Sequence, residues 1–217
     1  MKEERRKKLE NFWYYHKWHV IIGIVALFLI GYTIHEVVTK VNPDLTIDCI
    51  MDTGMDYEKI EILTNDLRDN GGITDNNGDG RIKVQIGHYQ TGKDPSSASS
   101  QGSMSEVVQL RMAVGECSLL LTEPHILNLY AEQDLFEDLT AIADEMNIPE
   151  EKRYMSKDGN KVVAINIDDS EFFAKNNIIT KDCYAAIRVL NHDQLGNKEK
   201  IKQNKNAGTV IKYIIKQ

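Results

Sequence analysis

The apolar positions of this chain form one long run near the N-terminus and many shorter periodic segments after it. Residues 20–34 contain no charged side chain. A helix needs about 20 apolar residues to cross the hydrocarbon core of a bilayer, and the run approaches that length when residues 35–38 are added. Aromatic side chains crowd residues 12–18, as they do at a membrane interface. The pattern predicts a transmembrane helix over residues 20–38, with the lipid bilayer as its partner.

Strand and helix patterns alternate after this run. Residues 45–52, 81–89 and 117–122 are rich in apolar and β-branched side chains, and they predict strands. Helical spacing of the apolar positions predicts helices over residues 57–69 and 105–114. Because parallel strands need long crossovers, this order indicates a parallel sheet covered by helices. The all-apolar third strand is expected beside the first, in the middle of the sheet.

Weaker patterns predict the elements of the second half. These are helices over 124–130, 141–146, 170–176 and 209–215, and strands over 161–167 and 184–190. The stretch 91–103 is rich in Gly, Ser and Pro, so it has little to bury and predicts an exposed flexible loop. The predicted fold class is α/β, with a transmembrane helix followed by a three-layer, parallel-sheet domain over residues 43–217.

Charge predicts which way the chain crosses the membrane. The basic and aromatic residues 1–19 carry six Lys or Arg against three Glu, a net charge of +3. Only one Glu lies between residues 20 and 39, and the whole chain carries −7, so residues 40–217 carry −9. Positive flanks stay in the cytoplasm, which predicts a single-pass protein of the cell membrane with residues 43–217 outside. Such an acidic exterior disfavours nucleic acid as a partner.

Other kinds of segment share this apolar pattern. A cleaved signal peptide needs a small-x-small site, and Gly31-Tyr32-Thr33 is a poor one. A lipid-anchored protein needs a cysteine directly after the run, whereas the first cysteine is Cys49. A buried core helix of a soluble protein is the third alternative. The basic flank and the aromatic belt together favour an uncleaved signal-anchor.

The cysteines Cys49, Cys117 and Cys183 lie in or beside apolar strand-like runs. Free cysteine behaves as a small buried hydrophobe, so we expect reduced, buried thiols. A disulfide or a reactive thiol is the alternative, because an odd count in an exported chain invites pairing between molecules. Their spacing matches no zinc site.

A possible calcium loop precedes the second strand. Asp75, Asn77, Asp79 and Gly80 match the first half of the D-x-[DN]-x-[DN]-G pattern, and the carbonyl of Arg81 would be a further ligand. The twelfth position of such a loop, normally Glu, is Ile86. Ca²⁺ is therefore a possible cofactor. The alternative is an ordinary turn, because Asn, Asp and Gly tolerate the left-handed conformation.

Polar residues end each of the first three predicted strands. Parallel α/β sheets bind ligands at the carboxyl ends of their strands. We therefore predict a ligand site from one residue set: Asp52, Thr53, His88, Tyr89, Gln90, Glu123 and His125. Ordinary surface loops are the alternative interpretation.

Catalytic motifs are missing from the sequence. There is no G-x-S-x-G elbow, no H-E-x-x-H spacing and no Gly-rich phosphate loop. The chain is therefore not expected to be an enzyme.

Several soft motifs together resemble a known group of proteins. They are NFWYYHKWH at 11–19, NNGDG at 76–80, LRMAVG at 110–115, LFEDLT at 135–140 and VAINIDDSEFFAKNNII at 163–179. In this combination the chain resembles uncharacterised single-span membrane proteins of Gram-positive anaerobes with an extracellular, type 2 periplasmic-binding-like domain. The resemblance implies a solute-binding-like or sensing module of unknown ligand. Solute-binding proteins of this class have two lobes, and this chain has room for about one, so a surface protein-protein interaction module is the alternative.

Overall fold

The computed structural model describes residues 2–39, 42–52, 55–90, 98–130, 133–176, 178 and 182–216. Two compact units make up the chain, residues 1–42 and residues 43–217. The helices are α1 (Lys2–Thr39), α2 (Tyr57–Asn70), α3 (Ala98–Val114), α4 (Pro124–Tyr130), α5 (Thr140–Glu145), α6 (Glu171–Lys175) and α7 (Lys198–Lys216). The strands are β1 (Leu45–Met51), β2 (Val84–Gln90), β3 (Leu119–Thr122), β4 (Arg153–Met155), β5 (Val162–Asn166) and β6 (Tyr184–Ile187).

The N-terminal unit is one long helix. α1 runs without a break through the basic segment and the apolar segment. Its stretch Phe12–His35 is 24 residues long and contains an 18-residue window with a mean hydropathy of 1.8. At 1.5 Å per residue this stretch is about 36 Å long, which is enough to cross a membrane. A membrane anchor and a signal sequence both have this length and composition.

The domain is built on one six-stranded sheet with the order β2-β1-β3-β6-β5-β4. β1 pairs in parallel with β2 on one side and with β3 on the other. The predicted position of the third strand beside the first is therefore confirmed. Every residue of β1 is buried, as expected for a strand covered on both faces.

The prediction of a parallel sheet is wrong for the second half. β6 pairs antiparallel with β3, β5 with β6, and β4 with β5. β4 and β5 are joined by a tight turn at residues 156–161, in which Gly159 has a φ of 72°. Connections this short make antiparallel neighbours, because a parallel pair needs a long crossover. The sheet is mixed, with a parallel half formed by β1, β2 and β3.

Helices cover both faces of the sheet and produce the three layers. One face, with Ile47, Cys49 and Leu121, packs under α2, α5, α6 and α7. The other face, with Ile50 and Leu120, packs under α3 and α4. Alternate residues of β1, β3 and β6 therefore enter opposite cores, as the period of two requires. Cys49, Cys117 and Cys183 are buried and free, as predicted, and burial raises the pKa of the Cys117 thiol to about 12.

Two helices begin earlier than their patterns predicted. α3 begins at Ala98, so residues 98–103 are helical instead of part of a loop, while residues 91–97 lie outside the described part of the chain. α7 begins at Lys198 instead of residue 209, and its buried face includes Gln203 and Asn206. Because polar residues occupy core positions, hydrophobic periodicity understates the length of α7.

Candidate functional site

The parallel half of the sheet brings three predicted site residues to one edge. In register, Met51 of β1 lies opposite Gln90 of β2, and Ile50 lies opposite Thr122 of β3. Asp52 and Glu123 directly follow β1 and β3, so both leave the sheet at the same end. This convergence is what the strand order predicts for the carboxyl ends of neighbouring parallel strands.

Hydrogen bonds hold these strand ends together. The backbone N–H of Asp52 donates to Oε1 of Glu123 at 3.1 Å. The Gln90 side chain donates from Nε2 to the carbonyl oxygen of Asp52 at 3.2 Å. Glu123 is therefore oriented by the backbone of β1, and Asp52 is fixed from both sides.

His125 completes a compact group with the two acids. It lies in the first turn of α4, two residues after Glu123. Its Nε2 is 3.7 Å from Oδ1 of Asp52, and its Nδ1 is 3.5 Å from Oε2 of Glu123. One donor atom from each of the three residues lies within 4.8 Å of the others. Asp52, Glu123 and His125 are called the strand-end cluster below.

The electrostatics of this cluster act mainly on Glu123. Only 16% of its side chain is exposed, whereas about half of the Asp52 and His125 side chains is exposed. Burial raises the pKa of Glu123, and the nearby negative charge of Asp52 raises it further. The hydrogen bond from the backbone of Asp52 and the proximity of His125 act in the opposite direction. A positive charge placed between the carboxylates of Asp52 and Glu123 would therefore be stabilised.

Two other predicted ligand residues, His88 and Tyr89, make different contacts. His88 accepts a hydrogen bond at Nε2 from the backbone N–H of Met55, 3.1 Å away, and so fixes the approach to α2. The Tyr89 ring packs beneath the Arg111 guanidinium, whose Cζ lies 5.2 Å from the ring centroid. Thr53 lies outside the described residues. Side chains alternate across a strand, so neighbours such as His88 and Tyr89 reach opposite faces of the sheet.

A buried ion pair that the sequence pattern did not indicate lies next to this edge. Arg111 of α3 donates from Nε and Nη2 to the two carboxylate oxygens of Asp48, at 2.8 and 2.9 Å. The Asp48 side chain is only 1% exposed, and a Cβ on Gly87 would lie 2.8 Å from its Oδ1. The absence of a side chain at Gly87 therefore makes room for the carboxylate. A lone Asp inside an apolar strand was the available signal, because a buried charge needs a partner.

The segment 75–81, called the Asp75 loop, is organised by its own backbone. Asp75 accepts hydrogen bonds from the backbone N–H groups of Asn77, Gly78 and Gly80, at 3.1, 2.6 and 2.7 Å. These bonds, the one from Gly80 above all, lower the pKa of Asp75. Asp79 likewise accepts from the backbone N–H of Arg81 at 2.8 Å. The loop has the hydrogen bonds of a well-formed turn, and the Ca²⁺ site stays a prediction.

A groove lies on a different part of the domain. Its volume is about 560 Å³, and it is formed by residues of α5, α7 and the end of β6, with Ile142, Ile187 and Ile201 among its apolar walls. Within the described residues it shares no side chain with the strand-end cluster. The groove is mainly apolar, and nothing in the described chain identifies what covers it, so the polar strand ends remain the stronger candidate.

Comparison with known proteins supplies no family for this chain. No family model matches it, and no curated protein matches it. The class of protein is therefore defined by its architecture: a mixed α/β domain that follows an N-terminal helix long and apolar enough to span a membrane.

Proposed function

We propose that the chain is a membrane-anchored, extracytoplasmic binding or sensing module whose ligand site is the carboxyl edge of β1, β2 and β3. The convergence of Asp52, Gln90, Glu123 and His125 from separate elements carries this proposal. Ligand sites of α/β domains favour this edge, because loops and helix starts meet there above a rigid sheet. We propose no enzymatic activity, since the sequence lacks a recognisable catalytic motif.

Two features support the anchor and its orientation. The Phe12–His35 stretch of α1 has the length and composition of a membrane span. The Lys- and Arg-rich segment before it, with a net charge of +3 over residues 1–19, favours a cytoplasmic N-terminus. A cleaved signal sequence would have the same apolar helix, so the experiment has to separate the two.

Protease accessibility tests this topology. The full chain carries one epitope tag at each end, and intact cells are treated with protease. We expect loss of the C-terminal tag, while the N-terminal tag stays protected on a short membrane-bound fragment. A protected C-terminal tag would contradict the orientation, and a mature chain that begins after residue 34 would contradict the anchor.

A thermal-shift screen tests the ligand site. The full chain in detergent is screened against sugars, amino acids and short peptides. A true ligand raises the melting temperature, because it binds the folded state only. We expect Glu123→Gln to abolish the shift, and Glu61→Gln, on the exposed surface of α2, to retain it. An equal shift in both variants would move the ligand away from the strand ends.

The exposed face of α3 favours a second candidate function, a surface interaction module. Val107, Leu110 and Val114 are 41, 63 and 46% exposed, and their spacing places them on one helix face. Contiguous exposed apolar side chains often mark protein interfaces. This candidate predicts that a surface protein co-purifies with the full chain, that Leu110→Lys releases it, and that the solute screen gives no hit.

A further inference from the structure

We propose that Asp52, Glu123 and His125 form a binding site for a divalent transition-metal cation, for which Zn²⁺ is the best match. This inference rests on the proposed function, because it names the class of ligand that the strand-end edge takes. The metal would use one imidazole nitrogen of His125 and one carboxylate oxygen each from Asp52 and Glu123.

The positions of the donor atoms fit a single small ion. The three residues come from three places, the end of β1, the end of β3 and the first turn of α4, yet their donor atoms lie within 4.8 Å of one another. Tetrahedral ligands about 2.1 Å from Zn²⁺ are separated by about 3.4 Å. Nδ1 of His125 lies 3.5 Å from Oε2 of Glu123, and Nε2 lies 3.7 Å from Oδ1 of Asp52. One ion uses only one of these nitrogens, so the carboxylate beside the other nitrogen has to move toward the ion, from a donor separation of at most 4.8 Å.

The donor types select among cations. One nitrogen and two carboxylate oxygens suit Zn²⁺ and related first-row metals, whereas Ca²⁺ and Mg²⁺ prefer sites made of oxygen alone. Three protein ligands also leave a fourth position open, where water or an oxygen of a solute binds. Such an open position is typical of metal sites that take a further ligand.

The surroundings of the cluster support a preorganised site. The Asp52 backbone orients Glu123, and Gln90 holds the backbone at Asp52, as second-shell groups do around metal ligands. The cluster also brings two carboxylates close to one imidazole, and a cation among these donor atoms offsets the repulsion between the two acids. The competing explanation is a protonated His125 that forms ion pairs with both acids and needs no metal.

Calorimetric titration of the full chain in detergent tests the inference. The protein is treated with a chelator, and ZnCl₂ is then titrated at neutral pH, with MgCl₂ in a parallel experiment. His16 and His19 form a second imidazole pair in α1, with ring centroids 5.9 Å apart. All variants are therefore made in a background in which both are Gln.

We expect one Zn²⁺-binding event in this background and no comparable heat from Mg²⁺. His125→Gln and Glu123→Gln should each weaken Zn²⁺ binding by at least about tenfold. Loss of a group that only supports a metal ligand lowers metal affinity about 10–100-fold, and loss of a ligand itself should lower it at least as much. His192→Gln, in an exposed loop, should bind as the background does. Circular dichroism of each variant checks that it is folded.

Two results would overturn the metal site. One is a folded background protein that takes up no Zn²⁺, which leaves only the ion pair around His125. The other is Zn²⁺ binding that His125→Gln does not change. The solute screen is independent of both. If a solute binds in a Glu123-dependent way and Zn²⁺ does not bind, the solute-binding proposal stands and the metal site is wrong. If Zn²⁺ binds in a His125-dependent way and no solute binds, the metal site stands and the solute-binding proposal is wrong.

Discussion

The Asp75 loop and the strand-end cluster both expose carboxylates, but they stabilise them differently. In the loop, backbone N–H groups surround Asp75 and lower its pKa. In the cluster, burial and the neighbouring charge of Asp52 raise the pKa of Glu123. The loop therefore compensates its negative charge locally, whereas the cluster leaves a position that favours a positive ligand. A count of acidic residues would not separate the two sites; the geometry around each oxygen does.

The largest expected effect concerns the attachment of the Asp75 loop to the sheet. Asp44 is buried, and its carboxylate accepts from the backbone N–H groups of Asn76 at 2.6 Å and Lys83 at 2.8 Å. Hydrogen bonds to a charged group contribute about 1.5–3 kcal/mol each, and Asp44→Ala leaves both donors unpaired. We expect a loss of about 3 kcal/mol or more in the free energy of unfolding.

Urea unfolding of the full chain in detergent measures this loss. Circular dichroism is the suitable signal, because both tryptophans, Trp13 and Trp18, lie in α1 and do not report on the domain. Asp193→Ala, at an exposed loop position, is the control and should change stability by less than about 0.5 kcal/mol. Equal stability of the two variants would show that Asp44 does not hold the loop.

The raised pKa of Glu123 predicts a pH effect on stability. The folded protein holds this proton more tightly than the unfolded chain, whose Glu has a pKa near 4.5. Unfolding free energy therefore falls as pH rises from about 4.5 through the folded pKa of Glu123. Glu123→Gln in metal-free buffer should lack this decrease, so it gains stability relative to the wild type over that window. Parallel pH profiles of the two proteins would contradict the assignment.

The lowered pKa of Asp75 predicts a pH dependence of the opposite sign, and its effect should be confined to the Asp75 loop. Its folded pKa lies below the ordinary value of 3.8, so its contribution is present above pH 3.8 and is lost as pH falls through the folded pKa. The protection factors of the Gly78 and Gly80 amides, measured by NMR as the intrinsic exchange rate divided by the observed rate, should fall over that range in the wild type. In Asp75→Asn both protection factors should be low throughout. Protection factors in the wild type that stay constant over that range would refute the role of the carboxylate.

The smallest expected effect is that of Ca²⁺ on the Asp75 loop. Its carboxylates already accept backbone hydrogen bonds, so we expect weak binding, and at a Ca²⁺ concentration equal to the dissociation constant the gain is about 0.4 kcal/mol. Millimolar Ca²⁺ should raise the melting temperature slightly in the wild type and not in Asp79→Ala. If the wild type shows no rise, the loop is a plain turn.

Much of the first half of the domain was predictable from local pattern. The strand over residues 45–51, the helix over 57–70 and their order along the chain follow from apolar periodicity and helix-ending Gly residues. The stop of α3 at Gly115, which has a φ of 71°, was likewise visible. That the residues following β1 and β3 leave the sheet at the same end followed from parallel pairing, because pairing fixes which strand ends meet.

The remaining features depended on distant contacts. Asn206 is buried, yet its side chain bonds to the backbone of Asp44 and Thr74 at 3.0 and 2.9 Å, which is why α7 extends over polar positions. Asp48 is stabilised inside the sheet by Arg111, 63 residues away in the chain. Hydrogen-bond partners this far apart in the chain leave no mark on the local sequence pattern. Whether a buried polar side chain finds a hydrogen bond depends on which distant residues pack against it.

By itself, then, the sequence determined the apolar N-terminal helix, the α/β class, the three parallel strands and the set of polar residues at their ends, because each follows from local spacing and charge. Tertiary structure alone decided that the second half of the sheet is antiparallel, that His88 accepts a hydrogen bond from the backbone of Met55, and that Tyr89 packs against Arg111. It also decided that Asp52, Glu123 and His125 share one small volume. These outcomes depend on strand order and side-chain direction, which only the packed sheet defines.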